Sequence, residues 1–183
     1  MSHLERLPEG LVAPPDDGAC DHLPGLRLPV LTLPATEGPP VDLSTLAGLT
    51  VLYAYPRTGQ PEQPLPTDWD LIPGARGCTP QSCAFRDHHV ELRDAGARVF
   101  GLSTQDTEYQ VEAAGRLHLP FPLLSDVDLR LTHALKLPTF TVDGLTLLKR
   151  VTLIVRDGVI EKVFYPVFPP DQNAAQVLAW LLK

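Results

Sequence analysis

Cysteine is scarce in this chain: three residues among 183, at positions 20, 78 and 83. An odd number cannot close a framework of structural disulfides, because one thiol is always left over. Four residues lie between Cys78 and Cys83. That is not the two-residue gap of a zinc knuckle or of a thioredoxin-type redox pair. Basic residues are also few, 15 Lys and Arg against 22 Asp and Glu, for a net charge of −7. The balance excludes general binding to nucleic acid, which requires clustered cations. No run of about 18 apolar residues occurs, so no membrane-spanning helix is expected. Residues 1–6 lack a basic region leading into an apolar stretch, so no secretory leader is expected and the default location is cytoplasmic. In that compartment a disulfide is more often catalytic than structural. No glycine-rich phosphate loop, GxSxG elbow or HExxH motif is present, so neither a cofactor nor a metal is expected.

Proline is what the chain has in excess: 20 residues, thirteen of them before position 74. Apolar residues make up 44% and charged residues 20%, enough for one ordinary globular domain. Residues 1–25 carry Pro8, Pro14, Pro15 and Pro24 without hydrophobic periodicity. They read as an N-terminal arm, draped on the body or partly disordered. The domain proper is expected over 26–183. Within it, Leu26–Leu33 is a candidate edge strand, because Pro29 bars it from a sheet centre. The apolar run Leu49–Tyr55 fits a central strand covered on both faces and stops at Pro56. Residues 57–76 form a long proline-rich loop without periodicity, and loops of that length are usually functional. Trp69 in this loop is expected to anchor it.

A helix should follow, with Thr79 as N-cap, Pro80 in its first turn and Gly96 closing it. Ala97–Leu102 reads as a second buried strand, Asp106–Leu117 as a helix, Leu123-Leu124 as a short strand and Asp128–Leu135 as a short helix. Leu148–Arg156 and Val159–Phe164 flank Asp157-Gly158, a two-residue hairpin signal. Asp171–Leu182 closes the chain as an amphipathic helix. This order gives an α/β domain, a central mixed sheet flanked by helices, in the sequence of elements of a thioredoxin-like fold.

Cys78 stands where loop passes into helix. A helix start presents unpaired N–H donors and partial positive charge, which favour the thiolate, the reactive form. Cys83 falls on the apolar side of the same helix, where a buried hydrophobe is the simpler reading. Arg86 is expected to be solvated or ion-paired. Asp87, His88 and His89 suggest a metal, but adjacent histidines on a helix point about 100° apart and cannot share one ion. Cys20, in the arm, reads as an incidental exposed thiol.

The segments YAYP at 53–56, GCTPQSCAFRD at 77–87, VFGLST at 99–104 and PLLSD at 122–126 resemble the peroxiredoxin family. They are most similar to its bacterioferritin comigratory protein, or peroxiredoxin Q, branch. The resemblance runs from about Leu26 to the C-terminus. It implies that Cys78 is the peroxidatic cysteine, that Cys83 is the resolving cysteine, and that Arg150, before an apolar strand, faces the thiolate. It also implies a hydroperoxide substrate, thioredoxin or a similar dithiol as reductant, and a monomer, with dimers also known in that branch. The family signature places a proline and then a threonine or serine before the cysteine. Here Pro56 is separated from Cys78 by the insertion, and Ala75 holds the threonine's place; Thr58 or Thr67 could supply the hydroxyl from the inserted loop. Three functions are therefore carried forward. The first is a thiol peroxidase of hydrogen peroxide and small organic hydroperoxides. The second is a thiol–disulfide oxidoreductase or redox sensor using the same cysteines. The third is a non-catalytic binding module on the same scaffold.

Overall fold

The computed structural model describes residues 2–183. At its centre lies strand β1, Leu49–Ala54, hydrogen-bonded on both sides. It pairs in parallel with β2 (Ala97–Ser103) and antiparallel with β6 (Val151–Arg156). Strand β3 (Leu123–Ser125) extends the parallel side and β7 (Val159–Phe164) the antiparallel side, giving the order β3-β2-β1-β6-β7. The alternation of side chains along a strand sends Val51, Tyr53 and Tyr55 into one core and Leu52 and Ala54 into the other. Each face is thus covered, which is why the run reads as continuously apolar.

Helices α1 (Cys78–Asp87), α2 (His89–Asp94) and α5 (Asn173–Leu181) pack on the Tyr53 face. Helix α3 (Thr107–Arg116) is capped by Asp106, whose carboxylate accepts from the Tyr109 amide at 2.8 Å. Helix α4 (Arg130–Leu135) follows β3. The Asp126 carboxylate holds its first turn, accepting from the Leu131 and Thr132 amides at 3.0 and 2.7 Å.

Several elements differ from the sequence expectation, each for a local reason. The helix expected from Pro80 starts two residues earlier. Gly77, at φ +110°, supplies the left-handed N-cap, and the Gln81 amide donates to its carbonyl at 3.0 Å. The same helix is interrupted at His88, so α1 and α2 are separate. Leu148–Arg156 is not one strand. Leu148 ends β5 (Leu145–Leu148), which pairs with β4 (Thr139–Val142) in a separate two-stranded ribbon. The chain then crosses to the main sheet through Lys149 and Arg150. The ribbon turns at Asp143-Gly144, both with positive φ, the hairpin dipeptide already identified at 157–158. Leu26–Leu33 forms only single bridges, Arg27 with Val159 and Leu33 with Val41.

The arm is packed rather than loose. Leu4 and Leu23 are buried, and so is Cys20, which corrects the expectation of an exposed thiol. Cys20 lies with Leu23, Leu28 and Leu52 in the core on the face opposite Cys78. Isolated side chains inserting into distant hollows leave no period in the sequence. The inserted loop is pinned as expected: Trp69 is 4% exposed and packs on Phe140 of β4, ring centroids 6.2 Å apart.

Candidate active site

The first turn of α1, the loop entering it and the joint before β6 meet at the Cys78 sulfur. Cys78 is 3% exposed and is the first residue of α1. Its Sγ accepts from the Arg57 amide at 3.4 Å and from Arg150 Nη2 at 3.4 Å, and lies 3.7 Å from the Ala75 carbonyl, to which it can donate. Arg57 is the first residue after Pro56, so the inserted loop begins at the sulfur. Its guanidinium lies over the Tyr109 ring, 5.0 Å from the centroid.

Arg150 is itself 3% exposed. Because it falls in the joint between β5 and β6, its position is set by neither ladder. Nη2 donates to the carbonyls of Gly74, Ala75 and Arg76 at 3.2–3.3 Å, as well as to Sγ. Nη1 donates to Gln81 Oε1. Gln81 in turn donates to Asn173 Oδ1 at 3.0 Å, an oxygen that also accepts from Thr152 Oγ1 at 2.7 Å. A buried guanidinium normally requires a counter-charge. None of Arg150's hydrogen-bond partners is a carboxylate; only the Cys78 sulfur can carry negative charge.

The arrangement brings Cys78 and Arg150 into contact. Cys83, one turn further along α1, is half-buried and opens onto a groove lined by Glu5, Leu7, Pro80, Asp87 and His88. Burial pushes its thiol above the ordinary cysteine range. Burial pushes the Cys20 thiol up to about 12, with Asp17 and Asp16 adding to the effect. No hydroxyl is among the polar contacts of Sγ. Thr58 is buried with both its amide and its Oγ1 donating to Gln105 Oε1, and the exposed Thr67 amide donates to Asp143 Oδ2. Arg86 is ion-paired with Asp87 at 2.9 Å and donates to the Leu117 carbonyl. Among the described residues no three potential ligands cluster as a metal site. Gln81 and Asn173 escaped the sequence reading. Gln81 was within reach of it, since a residue three positions after Cys78 on a helix shares its face; Asn173 left no signal.

The redoxin family model matches residues 23–178 of this chain. A peroxiredoxin Q from Sedum lineare, a chloroplastic protein, is 33% identical over 159 residues, covering 86% of this chain and 76% of its own length. The peroxiredoxin Q of Arabidopsis thaliana is 30% identical over 159 residues, covering 86% of this chain and 66% of its own. Among solved structures, the peroxidoxin BcpB of Mycobacterium tuberculosis superposes with a TM-score of 0.71 at 27% identity, covering 88% of this chain and 97% of its own.

Proposed function

The chain belongs to the redoxin family, in its peroxiredoxin Q branch, and from that premise we propose that it is a thiol-dependent peroxidase with Cys78 as nucleophile. The observation that carries the reading is the buried Arg150 guanidinium, 3.4 Å from a sulfur that alone among its partners can be an anion. The Cys78 thiolate attacks the terminal oxygen of a hydroperoxide, ROOH. The O–O bond breaks, the alkoxide takes a proton and leaves as ROH, and Cys78 becomes a sulfenic acid. The donors already aimed at the sulfur, Arg150 Nη2 and the Arg57 amide, are placed to stabilise charge on the separating oxygens.

Cys83 is the resolving partner in this reading. Its thiolate displaces the sulfenic hydroxyl, which takes up a proton and leaves as water, and the Cys78–Cys83 disulfide forms. A dithiol protein such as thioredoxin then takes up the oxidising equivalent and returns both thiols. Fast consumption of hydrogen peroxide by the reduced protein, about 10⁴ per molar per second or more, with loss of two thiols, is the expected result. Cys78→Ser should abolish it.

One observation favours a second reading. With Ala75 at the signature threonine's place and no hydroxyl at Sγ, peroxide activation lacks one donor. A thiol–disulfide oxidoreductase or redox sensor would be oxidised slowly by peroxide yet exchange readily with dithiols, and the same assay separates the two.

A further inference from the structure

Asn173 is the first residue of α5, yet its side chain serves other elements. It is fully buried, and so are its two partners, Gln81 of α1 and Thr152 of β6. Gln81 Nε2 donates to Asn173 Oδ1 at 3.0 Å, and Thr152 Oγ1 donates to the same oxygen at 2.7 Å. On its other side Gln81 Oε1 accepts from Arg150 Nη1, and Arg150 Nη2 reaches the sulfur at 3.4 Å. Three elements remote in sequence thus converge on one amide behind the guanidinium.

The direction of these hydrogen bonds carries the argument. A guanidinium only donates, so Gln81 has to present its oxygen to Arg150, and its amide nitrogen then needs an acceptor. Asn173 Oδ1 is that acceptor, and the Thr152 hydroxyl holds the oxygen in place. Asparagine at a helix start commonly caps its own helix. Here α5 has no side-chain cap at its start, and Oδ1 accepts from α1 and β6 instead. The arrangement also has a cost. Asn173 Nδ2 is buried with no hydrogen-bond partner among the described residues, and a buried donor left unpaired destabilises a fold. Neither the start of α5 nor stability therefore accounts for an amide at this position.

We propose that Asn173 is a positioning residue for the oxidation of Cys78. It fixes the orientation of Gln81, and through Gln81 the plane of the Arg150 guanidinium at the sulfur. The assignment rests on the peroxidase reading and adds the layer that aims its cation. A fixed plane matters to peroxide in particular, because the donors have to meet charge on the separating oxygens. Attack on a carbon electrophile needs only the thiolate and access to it. Loss of Asn173 should therefore act on one reaction and spare the other.

The test uses the full chain and reads two rates at Cys78. Oxidation by hydrogen peroxide is followed by rapid-mixing fluorescence, and alkylation by iodoacetamide through the mass of the Cys78 peptide. In Asn173→Leu, close in size to the wild type, oxidation should slow about tenfold while alkylation stays within about twofold. Asn173→Asp keeps the acceptor and should hold oxidation within about threefold of wild type. In a Gln81→Met background, Asn173→Leu should cost nothing further, because it acts through Gln81. If Asn173→Leu does not fold, Thr152→Val removes only the hydroxyl behind Oδ1 and should show the same selective loss at about threefold. Wild-type oxidation in the variant that folds, equal loss of both rates, equal loss in Asn173→Asp and Asn173→Leu, or additive loss in the double variant overturns this assignment alone. A wild-type protein whose Cys78 is not oxidised by peroxide overturns the peroxidase reading and the assignment with it.

Discussion

Joining Cys78 to Cys83 has to dismantle the start of α1. Both residues lie on that helix, which runs Cys78–Asp87. Five residues along an ideal helix rise about 7.5 Å and turn about 500°, placing the Cα atoms roughly 8.6 Å apart. A disulfide tolerates at most about 7 Å. The helix itself offers little resistance: Pro80 donates no hydrogen bond, and the Gln81 amide bond to Gly77 is worth about 1 kcal/mol. The arm resists more. A 3-10 turn at His3–Glu5 lies against α1, and Ser2 and Glu5 form a capping box that holds the turn. Leu4 is buried beside Gly59 and Leu65, the half-buried Leu7 lies against Gly77, and the His3 carbonyl accepts from Arg76 at 2.9 Å. Leu4→Ala should weaken this cover by about 2 kcal/mol, the low end for a buried leucine. If the arm must lift before the helix unwinds, disulfide closure should accelerate by up to about thirtyfold, since about 1.4 kcal/mol is a factor of ten. Stopped-flow fluorescence of closure after one equivalent of peroxide measures this. Amide exchange across residues 78–90 reports the structural change, with faster exchange at Cys83–Asp87 in the oxidised form. Equal protection in both redox states, with the disulfide confirmed by mass, would refute the argument, as would closure at the wild-type rate in Leu4→Ala.

Three further outcomes are expected. Cys20→Ser should keep peroxide consumption close to wild type while lowering stability by about 1–3 kcal/mol in thermal denaturation, because it places a hydroxyl in an apolar core. Arg150→Lys keeps the charge but cannot reach three carbonyls and the sulfur from one planar group. Oxidation of Cys78 should slow on the order of 10²-fold, and a wild-type rate in rapid-mixing assays would remove Arg150 from the reaction. Because burial raises the Cys83 thiol, the fraction able to attack the sulfenic acid grows about tenfold per pH unit. Resolution should therefore climb without levelling from about pH 7 to about pH 9; a plateau near neutrality in single-turnover measurements would contradict that burial.

What could be read in advance was whatever a single segment encodes. Leu49–Tyr55 announces a strand buried on both faces, Asp157-Gly158 a hairpin, and Asp106 a helix start, because each signal is local. The Asp143-Gly144 turn was equally visible, flanked by Thr139–Val142 and Leu145–Leu148, yet Leu148 looked continuous with the apolar strand after it. Only the crossing from one sheet to another separates them, and that crossing is what turns Arg150 toward the sulfur. The early start of α1 was hidden by Pro80, since the bias against helix before proline is overridden once Gly77 caps the turn. The packed arm was least legible. Leu4, Cys20 and Leu23 are placed by residues far along the chain, and no spacing within 1–25 encodes those partners.

The inserted loop leaves the sulfur and returns to it. Its first residue, Arg57, gives Sγ an amide, and its last, Gly74 to Arg76, give Arg150 their carbonyls. The two ends form a stem clamped at the thiol, and the stretch between behaves as a closed ring of chain. Closing such a ring costs only about 0.6 kcal/mol more for each doubling of its length. Burial of one large side chain, here Trp69, contributes about 1.5–3 kcal/mol in return. The spacing between Pro56 and Cys78 is therefore nearly free to drift, provided the stem keeps its contacts. The exposed crown at residues 61–64 is a position where lineages can lengthen, shorten or replace sequence without disturbing the sulfur beneath.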